Sequence, residues 1–389
     1  MMMRRRSVPG RPKQKKDPDR RNGGVARVLL SLGTVAVCVA LAVGGLSGEQ
    51  MLDIGRRMAL LSVGMMQPEG GAQALSGRLD RVPAANSGNE QTESVAGPTV
   101  PYTPGSGDQE GLDIPANGDA VIPPEAGDGG KITEEQLTIG SSFVQGVAIK
   151  NASSATINIA EQIAIAPALG LTDTAEPQVL IVHTHTTEAY MTYDAGYYNA
   201  SDLSRTKDNS HNVVAVGEAI AAQLRAAGIG VVHDATIHDN PKYTGAYDRS
   251  AATIQKNLEE HPTIRVVLDI HRDAIYRSST NRLKPTAVIN GRKAAQMMII
   301  ASACDSSSQP HPDWPENVRL ALRLQSALNT QYEGIVRPLY LVDSRYNQHL
   351  TKGSLLIEIG TDGNTIDEAA YSGQILGKTL AQVLNSLKE

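Results

Sequence analysis

The sequence predicts an α/β protein, a mostly parallel sheet flanked by helices, preceded by one transmembrane helix and a disordered linker. Three observations carry this expectation. Beyond about Ile132, apolar runs of strand length alternate with helical patterns, the texture of β-α-β units. Before that, residues from about Gly70 to Gly130 are rich in Gly, Pro, Ser, Asp and Glu, and cannot bury enough apolar surface to offset their ordering entropy. Near the N-terminus, Val28 to Leu46 form nineteen residues without a charge, close to the roughly 20 that a spanning helix needs.

Taken in order, residues 1–24 form a basic head, with nine Lys or Arg against two Asp between Met1 and Arg21. Residues 25–46 form the expected anchor. The basic excess before it keeps the N-terminus in the cytoplasm and exports the residues after Leu46, placing the second half of the chain outside a cell membrane crossed once. The competing reading is a cleaved signal peptide, because Ala40-Leu41-Ala42 resembles a small-residue cleavage site. Residues 47–131 form a low-complexity linker, able to carry a domain several nanometres from a bilayer, where a cell wall lies. Residues 132–389 form the folded domain. A net charge of -5 with no basic patch in the second half argues against nucleic acid as a partner. Cys38 and Cys304 are too far apart in sequence and context for a disulfide or a cysteine metal site.

Within that domain, strands are expected near Gln178 to His183, Gly230 to His233, Ile264 to Ile270 and Ser354 to Ile359. Helical periodicity spans Asn212 to Ala227 and ends at Gly228, a residue suited to a left-handed helix stop. Further helices are expected over Tyr247 to Glu260, Asn317 to Gln331 and Thr365 to Lys388. Asn290-Gly291 between two apolar runs signals a two-residue hairpin, read as an antiparallel pair added to the parallel core.

Three apolar strand candidates end in residues that are costly to desolvate: His185 after VLIVHT, His271 after VVLDI, and Glu358 within LLIEI. In an open parallel sheet, ligands gather outside the carboxyl ends of the strands, so these residues can meet there. A carboxylate between Ile357 and Ile359 needs compensation for its burial, and a metal ion with its bound water supplies it. Imidazoles suit Zn²⁺, whose catalytic sites take three protein ligands and leave a fourth position to water. His185 and His271 are two candidates. The third is His211, just before a helix, or Glu188, three residues beyond His185. His183 lies at a different depth on its strand and is the weaker choice. Arg272 and Arg345 offer planar forks matched to carboxylates, with ion pairing as the plainer alternative for each.

Through HTHTTEAY at His183 to Tyr190, HNVVAVGEAI at His211 to Ile220, DIHRDA at Asp269 to Ala274, SRYNQHL at Ser344 to Leu350 and LLIEIGTDGNT at Leu355 to Thr365, the chain resembles the stage II sporulation protein P family. That family is similar to the zinc-dependent N-acetylmuramoyl-L-alanine amidases, and the resemblance runs from about Gln178 to the C-terminus. It implies an amidase-like domain that cuts the bond between N-acetylmuramic acid and L-alanine in peptidoglycan, with an endopeptidase activity, during septal remodelling and engulfment. It implies zinc on His185 and His271, with His211 standing where the amidases carry a Glu, so that the middle ligand stays open between His211 and Glu188. Glu358, in Ile357-Glu358-Ile359-Gly360, takes the place of the catalytic Glu. Stage II sporulation proteins D and M are the partners the resemblance implies. A zinc peptidase or carboxypeptidase of the wall, and a wall-binding scaffold without catalysis, are the competing functions.

Overall fold

The computed structural model of the chain describes residues 122–137, 144–306 and 308–388. The basic head, the expected anchor and all but the end of the expected linker lie outside the described residues. Among the described residues, no helix is long and apolar enough to cross a membrane.

The elements begin with β1 (Gly130–Glu135), β2 (Ile149–Asn151), α1 (Ile159–Ala164), β3 (Pro177–Val182) and β4 (Tyr197–Tyr198). They continue with α2 (Val213–Ala226), β5 (Gly230–His233), α3 (Ala246–Glu260), β6 (Val266–Asp273), β7 (Tyr276–Ser278), β8 (Asn281–Ile289) and β9 (Arg292–Ala295). The chain closes with β10 (Met297–Ser302), α4 (Trp314–Gln331), β11 (Leu339–Val342), a short 3₁₀ turn (Gln348–Leu350), β12 (Gly353–Thr361) and α5 (Ile366–Asn385). The start and stop signals act as their chemistry dictates. Asn212 caps α2 by accepting the Val214 N–H, and Gly228 is left-handed at φ 79° just past its end. Thr365 and Glu368 form a reciprocal capping box on α5.

The main sheet has the order β2-β11-β10-β12-β6-β3-β5. All of its pairings are parallel except β10 with β12, which is antiparallel. The expected hairpin forms at Asn290 and Gly291, both with positive φ, and pairs Ile289 with Arg292. Its placement corrects the sequence reading. β8 and β9 belong to a second sheet, β4-β1-β8-β7 with β9 on β8, and not to the parallel core. Gln296 separates the two sheets: its N–H donates to Pro285 O at 3.0 Å, and its side chain binds Leu137 and Gly334. The chain then enters the main sheet as β10. Lys284, 1% exposed, ties the second sheet to α5 through Glu368 at 2.7 Å, and the ion pair offsets the cost of burying its ammonium.

Alternation along the strands sends successive side chains to opposite faces. Val179, Ile181, Leu268, Ile270, Leu355 and Ile357 face α2, α4 and α5 in the large core. Leu180, Val182 and Val267 face α3 through Ile254. Met298, Ile300 and Leu356 form a third cluster with Tyr340 and Tyr346. Helices α2 and α5 meet at backbone distance, since a Cβ on Gly377 would stand 2.7 Å from Ile220 O and 2.8 Å from Gln223 Cβ. Gly377→Ala is therefore expected to destabilise by about 1–3 kcal/mol through overpacking, even though alanine gains roughly 1 kcal/mol in helix propensity. Thermal unfolding of the variant measures the balance, and an unchanged or higher midpoint would show that the helices yield freely.

Candidate functional site

The loop after β3 is pegged by its threonines. Thr184 donates its N–H to Asp269 at 2.8 Å and its hydroxyl to the other Asp269 oxygen at 2.6 Å. The Thr186 hydroxyl binds His183 O and Thr236 O, and the Thr187 hydroxyl donates to Asp239. A tight turn then returns the Glu188 N–H to His185 O at 3.0 Å. These bonds fix where His185 and Glu188 point. The His185 ring, 2% exposed, stacks on Tyr243 at 4.4 Å, meets Tyr247 edge-on at 5.6 Å and meets His271 edge-on at 5.3 Å.

Register brings the rest together. Glu358 on β12 is the direct partner of His271 on the parallel neighbour β6, so the two side chains leave one face side by side. His271 stands between two carboxylates: Nε2 lies 2.9 Å from Asp269 and Nδ1 lies 3.5 Å from Glu188. Glu188 Oε2 also accepts the Arg272 N–H at 3.1 Å, while Arg205 approaches Oε1 at 3.7 Å. Burial drives the His185 pKa down to about 4, so its ring is neutral at pH 7. Burial opposes ionisation of Glu188, yet the hydrogen bond and charge of His271 hold it well below the usual carboxylate range. Burial likewise opposes protonation of His271, and Asp269 and Glu188 outweigh it and raise the pKa. Glu358 is pushed up, first by burial and then by the charge of Asp273.

The structure brings His185, His271 and Glu358 together and adds Glu188 to them. His211 is placed elsewhere: its ring bonds Asp208 at 3.1 Å with 44% of the side chain exposed. The reason is local, since the next residue, Asn212, is extended and turns its buried side chain inward to cap α2, which leaves His211 facing out. Arg272 differs from the sequence reading as a carboxylate clamp. It is buried, and its guanidinium donates to the carbonyls of Ala189, Asp273 and Ser204, tying the loop to β6. Arg345 is half-buried and donates to Pro310 O at 3.2 Å. Sequence reasoning missed Asp269, although it lies two residues before His271 and therefore on the same strand face. Tyr243, Tyr247 and Arg205 come from loops and helix starts with no pattern to flag them.

A family model described as Stage II sporulation protein P (SpoIIP) matches residues 125–381. The chain belongs to the stage II sporulation protein P family. A curated relative, the Stage II sporulation protein P of Bacillus subtilis (strain 168), is 26% identical over 201 residues, which are 49% of this chain and 47% of the relative. The chain thus spans about half the length of that relative. Among solved structures, the N-acetylmuramyl-L-alanine amidase Ami1 from Mycobacterium smegmatis is similar at a TM-score of 0.32 and 14% identity, over 55% of this chain and 99% of its own. The CwlD amidase from Clostridioides difficile, solved in complex with the GerS lipoprotein, is similar at 0.29 and 14%, over 54% and 98%.

The side chains around His271 can be tested for zinc by donor type, protonation and spacing. Both ring nitrogens of His185, Oε1 of Glu188 and Oε2 of Glu358 are buried with no hydrogen-bond partner among the described residues. Each such atom costs roughly 1–3 kcal/mol unless something satisfies it. The neutral His185 ring and the ionised Glu188 carboxylate are in the forms a metal accepts, whereas His271, whose pKa is raised by Asp269 and Glu188, would have to give up a proton to bind one. The 3.5 Å between His271 Nδ1 and Glu188 Oε2 is near the edge of about 3.3 Å that ligand distances of roughly 2.0–2.1 Å give a tetrahedron. Asp269, 2.9 Å from Nε2, stands on the side of the ring from which an outer carboxylate orients a histidine that binds metal. Among the described residues, no three donors already converge in a full ligand arrangement. The fit is one of donor chemistry and pairwise spacing.

His183 turns away from this cluster. Its Nδ1–H donates to Ile270 O at 3.0 Å, leaving Nε2 to accept from His233 at 3.0 Å. Burial and the neighbouring His233 lower its pKa to about 3, against about 6.5 in an unfolded chain. A depressed histidine binds its proton preferentially when unfolded, so its contribution is full above pH 6.5 and is lost as pH falls towards 3. With chelator present, stability should fall on acidification by up to about 1.4 kcal/mol per pH unit for this one proton. His183→Gln should be less stable at pH 7 but show a flatter acid limb in urea titrations; an unchanged limb would assign the acid sensitivity elsewhere.

Proposed function

We propose that this chain is a zinc-dependent N-acetylmuramoyl-L-alanine amidase acting on peptidoglycan in septal remodelling and engulfment. One observation carries the reading: Glu358 stands beside His271 on one sheet face, next to Glu188 and to a His185 ring whose nitrogens have no hydrogen-bond partner among the described residues. His185, Glu188 and His271 would hold the zinc, Glu188 taking the place the sequence reading gave first to His211. When bound, zinc lowers the pKa of a coordinated water and polarises the scissile carbonyl. Glu358 would accept the water proton and return it to the leaving amine. Asp269 fixes His271, and the threonine-pegged loop fixes His185 and Glu188. Arg205 shields the Glu188 carboxylate from the side of Asp239, to which it is bound at 2.6 Å.

Membership of the family supports this activity, in sporulation, over a general wall peptidase. The basic head and apolar segment support a single-pass chain whose catalytic half lies outside the cell membrane, and the family resemblance suggests stage II sporulation proteins D and M as partners. The test is digestion of purified sacculi by the full chain. Release of intact stem peptides that begin with L-alanine is the expected product. Peptides lacking that residue would instead show a peptidase, and no soluble product would favour a wall-binding scaffold.

A further inference from the structure

The SRYNQHL motif builds a cavity of about 230 Å³ that shares a wall with the candidate zinc site. That wall is Tyr247. One side of its ring lies stacked 6.4 Å from His271 and edge-on to His185, and the ring also packs 5.4 Å from Tyr346. Tyr346 and Asn347 are both left-handed, at φ 45° and 58°, a region that Asn tolerates but that is unusual for a residue as bulky as Tyr. Asn347 holds the turn by donating its amide to Tyr247 O at 2.9 Å and Ser250 Oγ at 3.1 Å. The strained turn is thereby pinned to α3, and Arg345 and His349 both line the cavity. Among the described residues, no carboxylate lines it. His349 Nδ1 is buried with no hydrogen-bond partner among the described residues, and burial followed by the charge of Arg345 lowers its pKa.

We infer that this cavity binds a free carboxylate of the stem peptide, held by the Arg345 fork in a pocket walled by His349, an assignment that rests on the amidase reading. The sign of the cavity selects the ligand. The glycan is uncharged where its lactyl group is in amide linkage, whereas the stem peptide carries free carboxylates. The Arg345 guanidinium, with no carboxylate in the lining to neutralise it, suits that group. The cavity therefore sets the direction of the substrate, with the scissile amide at His271 and Glu358 and the stem running over Tyr247 and Tyr346 to Arg345. Arg345 is a specificity-determining residue in this arrangement, and Asn347 is a positioning residue.

The full chain carrying Glu358→Gln, which binds without turnover, is titrated calorimetrically with a disaccharide-tripeptide bearing free carboxylates and with its amidated counterpart. The free acid should bind roughly 10- to 100-fold more tightly, the range for a charged hydrogen-bonded contact. Arg345→Ala should remove that ratio, and Arg345→Lys should keep only part of it. Equal affinity for the two ligands, an unchanged ratio in Arg345→Ala, or no binding of either ligand would overturn the assignment. The amidated ligand needs no substitution near the turn, so misfolding of a variant cannot mask the result. Cleavage at a bond other than the L-alanine amide, scored on the chain with Glu358 intact, would overturn the amidase reading while leaving the measured carboxylate discrimination standing.

Discussion

Glu358→Gln is expected to lower kcat on peptidoglycan by roughly 10²–10⁴-fold, the usual contribution of a positioned acid-base group, with zinc content and unfolding midpoint close to wild type. The substitution preserves the shape of a side chain in the middle of β12 and removes only its capacity to take a proton. Glu358 is the direct neighbour of His271, yet among the described residues it pairs with none of the cations that hold Glu188 and Asp269 ionised. Its Oε2 has no hydrogen-bond partner among the described residues, and burial with the charge of Asp273 raises its pKa. A carboxylate that no ion pair holds ionised, once charged beside the proposed zinc, can pick up a proton and give it back, which a tightly ion-paired carboxylate cannot. Product release from sacculi, with metal analysis on the same preparation, checks the expectation. Activity within tenfold of wild type would place the base elsewhere, and loss of zinc would make Glu358 a ligand.

Much of this was legible because periodicity and chemistry coincide. The strands around Gln178, Gly230, Ile264 and Ser354 are apolar runs bounded by turn residues, and each lies within a few residues of its expected ends. His185, His271 and Glu358 were readable since polar residues at the ends of apolar strands must be compensated where the strands converge. The second sheet was not readable in the same way. β1, β4 and β7 are short and mostly polar: β1 joins β8, and β4 joins β1, across long sequence separations, while β7 is only a short return strand on β8. The hairpin signal at Asn290-Gly291 was correct, but a turn type fixes only the register of its own two strands. Which sheet they join depends on Gln296, whose bonds to Leu137 and Gly334 no local pattern announces.

The middle ligand separates the two kinds of information most sharply, and its test has the second large effect. Glu188→Ala should strip zinc from the chain at any stoichiometric load and abolish hydrolysis, whereas His211→Ala should retain both to within about twofold, as surface changes usually do. Sequence placement before a Val-rich helix favoured His211. Geometry favours Glu188, because its turn aims the carboxylate at His271 Nδ1, while the inward cap made by Asn212 leaves His211 on the outer side with Asp208. Removing Glu188 also frees the Arg272 N–H and leaves His271 with Asp269 alone, so loss of metal by itself could reflect a disturbed loop. Glu188→Gln resolves this: it keeps an oxygen for the Arg272 N–H but lacks the charge a divalent cation needs. Zinc retained in Glu188→Gln and lost in His211→Ala would reverse the assignment and return the third ligand to the helix start.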